Sequence, residues 1–77
     1  MTARNRLIQT TADNIIDALR MGGIAYNHVN NFVLRDYIQM AAEDDATIAS
    51  LWNKSNADKR YRLMTAVLRY VELNKNK

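Results

Sequence analysis

Apolar side chains recur at helical spacing along most of this chain. Ile8, Ala12, Ile15, Ile16 and Leu19 stand at i, i+4, i+7, i+8 and i+11, one stripe of a helix predicted from about Asn5 to Met21. Tyr26, Val29, Val33, Tyr37, Met40 and Ala41, widened by Phe32 and Ile38, make a second stripe that runs to the acidic break Glu43-Asp44-Asp45. Asp45 is predicted to cap a short third helix through Ile48, Leu51 and Trp52, because its carboxylate can accept from the free amides of a first turn. Ser55-Asn56-Ala57-Asp58 has the spacing of a capping box, with Asp in place of the usual Glu or Gln. A last helix follows, with Tyr61, Met64, Val67, Leu68 and Val71 inward and Lys59, Arg62, Arg69 and Glu72 outward. Asn74 to Lys77 is predicted to fray.

No long window alternates β-branched with polar residues, and the chain has no proline and only two glycines. These features predict an all-α fold: one domain over residues 1–77, a small bundle of three or four helices. Gly22-Gly23 either ends the first helix with a left-handed cap or marks a point where another backbone comes close. Trp52 is read as core, Met21, Met40 and Met64 as core fillers, and Tyr26, Tyr37, Tyr61 and Tyr70 as half-buried rings with their hydroxyls at the surface.

Hydrophobic residues make up 48% and charged residues 25% of the chain, close to the globular average, so it is expected to fold. A chain of 77 residues buries only about 60% of its unfolded surface, so a homodimer or a docked partner would add stability. The absence of cysteine excludes a disulfide framework, and with a single histidine it argues against structural zinc. No apolar run approaches the roughly 18 residues of a membrane span, and the opening MTARNRLIQTTADN lacks the apolar stretch of a signal peptide. The expected setting is the cytoplasm, without a membrane partner. Charge is uneven: residues 53–77 hold seven Lys/Arg against Asp58 and Glu72, while residues 1–52 hold four Arg against six acids. Lys59, Arg60, Arg62 and Arg69 form the best basic face, suited to phosphate, to acidic protein, or simply to solvent.

Catalysis requires a nucleophile with an orienting base, or paired carboxylates around a pocket. His28 has no Cys or Ser in a nucleophile context, Glu43-Asp44-Asp45 lacks calcium-loop spacing, and no phosphate-binding glycine loop is present. The chain is expected to be a binding protein without enzymatic activity, cofactor or metal.

The densest polar cluster lies in GGIAYNHVNN, where three asparagines and the only histidine occupy five positions after the glycine pair. One reading is a helix-turn-helix DNA-binding regulator, dimeric because a single unit buries too little surface for specific affinity. Ala18, Gly23, Val29 and Phe32 would fill its small, turn and buried places. Asn27, His28, Asn30 and Asn31 would face the major groove, where asparagine pairs bidentately with adenine. That reading places no Lys or Arg on the presumed recognition helix before Arg35. Alternatively the amides cap and solvate a helix start.

From Asp13 to Asn31 the run DNIIDALRMGGIAYNHVNN also resembles the first conserved helix of the theta subunit of bacterial DNA polymerase III and its phage homologue. The likeness rests on Asp13, Ile15, Leu19, Gly23, Ile24, Ala25, Tyr26 and Asn31, in register without a gap. After one inserted residue, Glu43 with Ile48, Leu51 and Trp52 is similar to the family's acidic turn and its aliphatic-then-aromatic third helix. About half of the chain is covered. The family's proline after the matched asparagine is missing, and NKSNADK stands as an insertion before the final basic helix. The resemblance implies a three-helix, non-catalytic accessory subunit that binds and stabilises a proofreading exonuclease subunit, and the small size of the chain suits a phage or plasmid gene. It implies contact or packing roles for Leu19, Ile24, Tyr26 and Asn31, and one helix continuing through Gly22-Gly23, with Asn27, His28 and Asn30 solvated or facing the partner. An inhibitor of a host enzyme is the third reading, since it would leave no motif.

Overall fold

Each helix starts where a short polar side chain can serve first-turn amides that lack a partner. In the computed structural model, which describes residues 1–76, the helices are α1 (Ala3–Arg20), α2 (Asn31–Asp44), α3 (Ala46–Lys54) and α4 (Ala57–Asn74). Thr2 accepts from the Asn5 amide at 3.1 Å, Asn30 from Val33 at 3.1 Å, and Asn56 from Lys59 at 2.9 Å. Asp45 accepts from both Thr47 (2.9 Å) and Ile48 (3.3 Å), so a single residue separates α2 from α3. The expected cap of α3 is therefore in place. That of α4 falls one residue later than the capping-box spacing suggests: Ser55 is buried and turns its hydroxyl back onto the Leu51 carbonyl, 2.7 Å away, leaving the cap to Asn56. α4 reaches Asn74 with Lys75 as its cap; Lys77, the end of the stretch expected to fray, lies outside the described residues.

One hydrophobic core joins all four helices. α1 contributes Leu7, Ile8, Ala12, Ile15 and Ile16, α3 Ile48 and Trp52, and α4 Leu63, Met64, Val67 and Val71. α2 corrects the sequence pattern. Its buried residues are Leu34, Ile38 and Ala41, whereas Phe32 is 75% and Met40 48% exposed. The stripe counted from Tyr26 crossed a loop; Tyr37, Ile38 and Ala41 face the core as it predicts, while Leu34 joins them and Phe32 and Met40 turn outward. Tyr61 and Met21 likewise lie outside the core, and Met64 alone of the three internal methionines fills it.

α1 packs chiefly along α4. The two run in the same direction: Arg4 shares a surface depression with Lys59 and Arg62, and Tyr26, just past α1, reaches Glu72 near the end of α4. α2 runs opposite to both, since Asp45 at its end hydrogen-bonds Arg6 at the start of α1. The end of α1, the start of α2 and the end of α4 therefore share one pole, here the loop end. The remaining termini and α3 form the other, the junction end. There the Arg60 guanidinium stacks 4.7 Å from the Trp52 ring centroid, and its Nε donates to the Trp52 carbonyl at 3.1 Å, tying α4 to α3.

Two predictions arise from this packing. Thr11 is fully buried and its hydroxyl has no hydrogen-bond partner. Thr11→Val keeps the side-chain shape and removes that desolvated group, so urea unfolding is expected to show a gain of about 1 kcal/mol. Asp45 has its pKa lowered, first by the Arg6 hydrogen bond and then by the α3 amides, against an opposing effect of burial. A depressed carboxyl stabilises the fold above its unfolded value, near 3.9. That contribution is lost as pH falls through the lower, folded pKa. Acid unfolding of Asp45→Asn should accordingly lack the part of the decline that the wild type shows below about pH 4.

Candidate functional site

The loop end is built by a helix stop and a clasp. The amide of Gly22 donates to the Leu19 carbonyl at 3.2 Å, and that of Gly23 to Ala18 at 2.9 Å, the paired bonds of a Schellman motif. Gly22 adopts φ +74°, the left-handed conformation that this motif demands. Of the two sequence-based readings of the glycine pair, the left-handed cap is the one observed. The continuous helix implied by the resemblance is not, and neither glycine is a packing notch. A Cβ on Gly22 would meet nothing within 4 Å, and one on Gly23 would meet the Ala18 oxygen at an ordinary 3.5 Å.

Beyond the stop, residues 21–30 cross to α2 through a single 3-10 turn, Tyr26–His28. Tyr26 holds this segment down. Its hydroxyl donates to Glu72 Oε1 at 2.7 Å, and Lys75 Nζ sits 3.6 Å from its ring centroid. Leu19, Ile24, Tyr26 and Val29 are half-buried and pack against the core, so the loop is seated rather than loose. The Tyr26 pKa is raised, mainly because its hydroxyl donates a hydrogen bond to Glu72, with burial and the Glu72 charge adding to the shift. Neutral phenol is thus favoured by folding. Its contribution is complete below the ordinary tyrosine value, near 10, and is lost as pH rises through the folded pKa. Tyr26→Phe should leave the core intact, remove that alkaline step, and speed amide exchange several-fold over residues 24–30.

The polar residues of GGIAYNHVNN have divergent placements. Asn27 and His28 are exposed on the 3-10 turn, Asn31 is the exposed first residue of α2, and the Asn30 side-chain oxygen is occupied in capping. The helix-turn-helix assignment does not match this geometry. Its turn would need three or four residues where 21–30 intervene, and Phe32, placed on its buried side, is 75% exposed. Leu19, Ile24 and Tyr26 support the loop from beneath, leaving Asn27, His28 and Asn31 as its solvent-facing part.

The sequence pattern put Met21 and Phe32 in the core and left Leu73 unassigned, and the structure turns all three outward. Met21 (85% exposed), Phe32 (75%) and Leu73 (68%) all lie at the loop end. For Leu73 the signal was present in the predicted inward position of Val71, whereas for Phe32 it required knowing that Leu34 is buried. Phe32 stands two residues from buried Leu34, and Leu73 two from buried Val71, about 200° around their helices.

The basic face changes membership. Lys59, Arg62 and Arg69 are exposed, but Arg60 folds inward onto Trp52 and leaves it. Arg62 lies 3.4 Å from Asp58 in an exposed i,i+4 pair. Arg4, from α1, joins Lys59 and Arg62 around the depression at the junction end. Among the described residues, no three His, Cys, Asp or Glu side chains are grouped to hold a metal ion, and no helix is long and apolar enough to cross a membrane.

No protein family, curated protein or solved structure matches this chain.

Proposed function

We propose that this chain is a small non-catalytic accessory protein that acts by protein–protein contact, with the loop end as its docking face. The observation that carries the reading is the placement of Met21, Phe32 and Leu73, large and exposed, around one pole of the bundle. An exposed aromatic and exposed apolar side chains at one end of a bundle are the usual composition of an interface anchor, and Asn27, His28 and Asn31 are exposed polar residues of the same end. The Tyr26 clasp supports the same reading, because a loop already held in place loses little freedom on binding.

The resemblance to the polymerase theta subunit makes a proofreading exonuclease subunit the first partner to test. The stop at Arg20 departs from that family's continuous helix, so the contact surface would be this chain's own even with a shared partner. The test is affinity capture from cell extract with wild type, Phe32→Asp and Leu73→Asp, each checked for helicity, with and without nuclease, at about 50 and 200 mM salt. A stoichiometric protein that survives nuclease and salt and is lost to Phe32→Asp supports the reading. Direct titration of purified exonuclease subunit decides whether it is that protein. Recovery of DNA alone, falling steeply with salt, or equal capture by all three chains, overturns the docking face.

A further inference from the structure

The junction end, opposite the proposed docking face, carries a second surface with a different chemistry. Arg4 of α1, Leu51 and Ser55 around the end of α3, and Lys59, Arg62 and Leu63 of α4 line one crevice. Leu51 and Leu63 give it apolar surface, and Arg4, Lys59 and Arg62 bring positive charge to it. The Ser55 hydroxyl already donates to the Leu51 carbonyl at 2.7 Å. Arg4 and Lys59 have no acidic partner among the described residues, and the Arg62–Asp58 pair is about three-quarters exposed on both sides, a pair too weak to resist an incoming carboxylate.

We infer that this crevice binds an acidic segment of a partner protein, seating an apolar side chain on Leu51 and Leu63 while flanking carboxylates meet Arg4, Lys59 and Arg62. Charge complementarity selects the occupant's sign, and the apolar surface selects its class. A nucleic-acid backbone would use the cations but leave the apolar surface unfilled, since phosphate contacts carry no apolar component. A peptide with an aliphatic or aromatic residue between glutamates satisfies both. Each guanidinium of Arg4 and Arg62 can grip both oxygens of one carboxylate, a geometry that suits glutamate side chains.

The probe is a capped synthetic peptide, Glu-Glu-Leu-Phe-Glu-Glu, titrated into the full 15N-labelled chain. A Glu-Glu-Gly-Ser-Glu-Glu control, a Lys-Lys-Leu-Phe-Lys-Lys peptide and a short DNA duplex are run beside it. Amide shifts are expected at Leu51, Ser55, Lys59 and Leu63, with the loop end unmoved. Affinity should fall about tenfold for Arg4→Glu or Lys59→Glu and by a similar factor for the Gly-Ser control, and the lysine peptide should bind the Arg4→Glu, Lys59→Glu double variant. Both positions are exposed, so helicity confirms that the variants fold. No shift at millimolar peptide, equal binding of the Gly-Ser control, or tighter binding of the duplex through the same residues would each overturn the assignment.

Discussion

Trp52→Ala is expected to lower the unfolding free energy by about 3–5 kcal/mol, the largest single-residue effect in the molecule. The indole is 3% exposed and lies where α3 closes the junction end of the core. Its removal leaves a cavity that the packed helices fill only in part, and it strips the Arg60 guanidinium of the ring on which it stacks. A domain of 77 residues has on the order of 4–12 kcal/mol in total, so the variant should lose a large share of its stability and melt on the order of 20 °C lower. Thermal and urea unfolding measure this directly. A loss below about 1 kcal/mol would mean that α3 does not seat its tryptophan in the core. Trp52→Phe, which refills most of the volume, should recover the greater part.

Gly22→Val is the second large effect, expected to cost about 1–2 kcal/mol or slightly more, because a β-branched residue is forced to φ +74°. Space is not the problem, since nothing lies within 4 Å of a Cβ there; the penalty is conformational. Gly22→Asn should cost less, as asparagine tolerates the left-handed region. Gly23→Ala should be close to neutral, because Gly23 is not in that region and its added Cβ makes an ordinary contact. The pair thus separates a helix stop from a continuous helix. If Gly22→Val were neutral and raised helicity, α1 would run through the glycines as the theta resemblance implies, and the docking face would have to be redrawn.

Much of this was decided by local physics and was therefore legible in the sequence. The i, i+4 recurrence of apolar residues placed α1 and α4 within about two residues of their observed ends, and Asp45 announced the start of α3 because a cap serves amides only two and three positions away. Trp52 belonged in the core because a small bundle needs its bulkiest side chain inside. What remained open depended on partners far away in sequence. The inward face of α2 is set by its packing on the other helices, which leaves Phe32 in solvent and brings Leu34 into the core. Arg60 left the basic face because α3 places the Trp52 ring beneath it. Tyr26 meets Glu72 across 46 positions, a pairing that exists only because α1 and α4 run the same way. The same chain directions gather Met21, Phe32 and Leu73 at one pole and Arg4 beside Lys59 and Arg62 at the other. Capping and periodicity act within one or two turns of helix, so sequence alone determined the elements. Surfaces are made of residues that only the packing of those elements brings together.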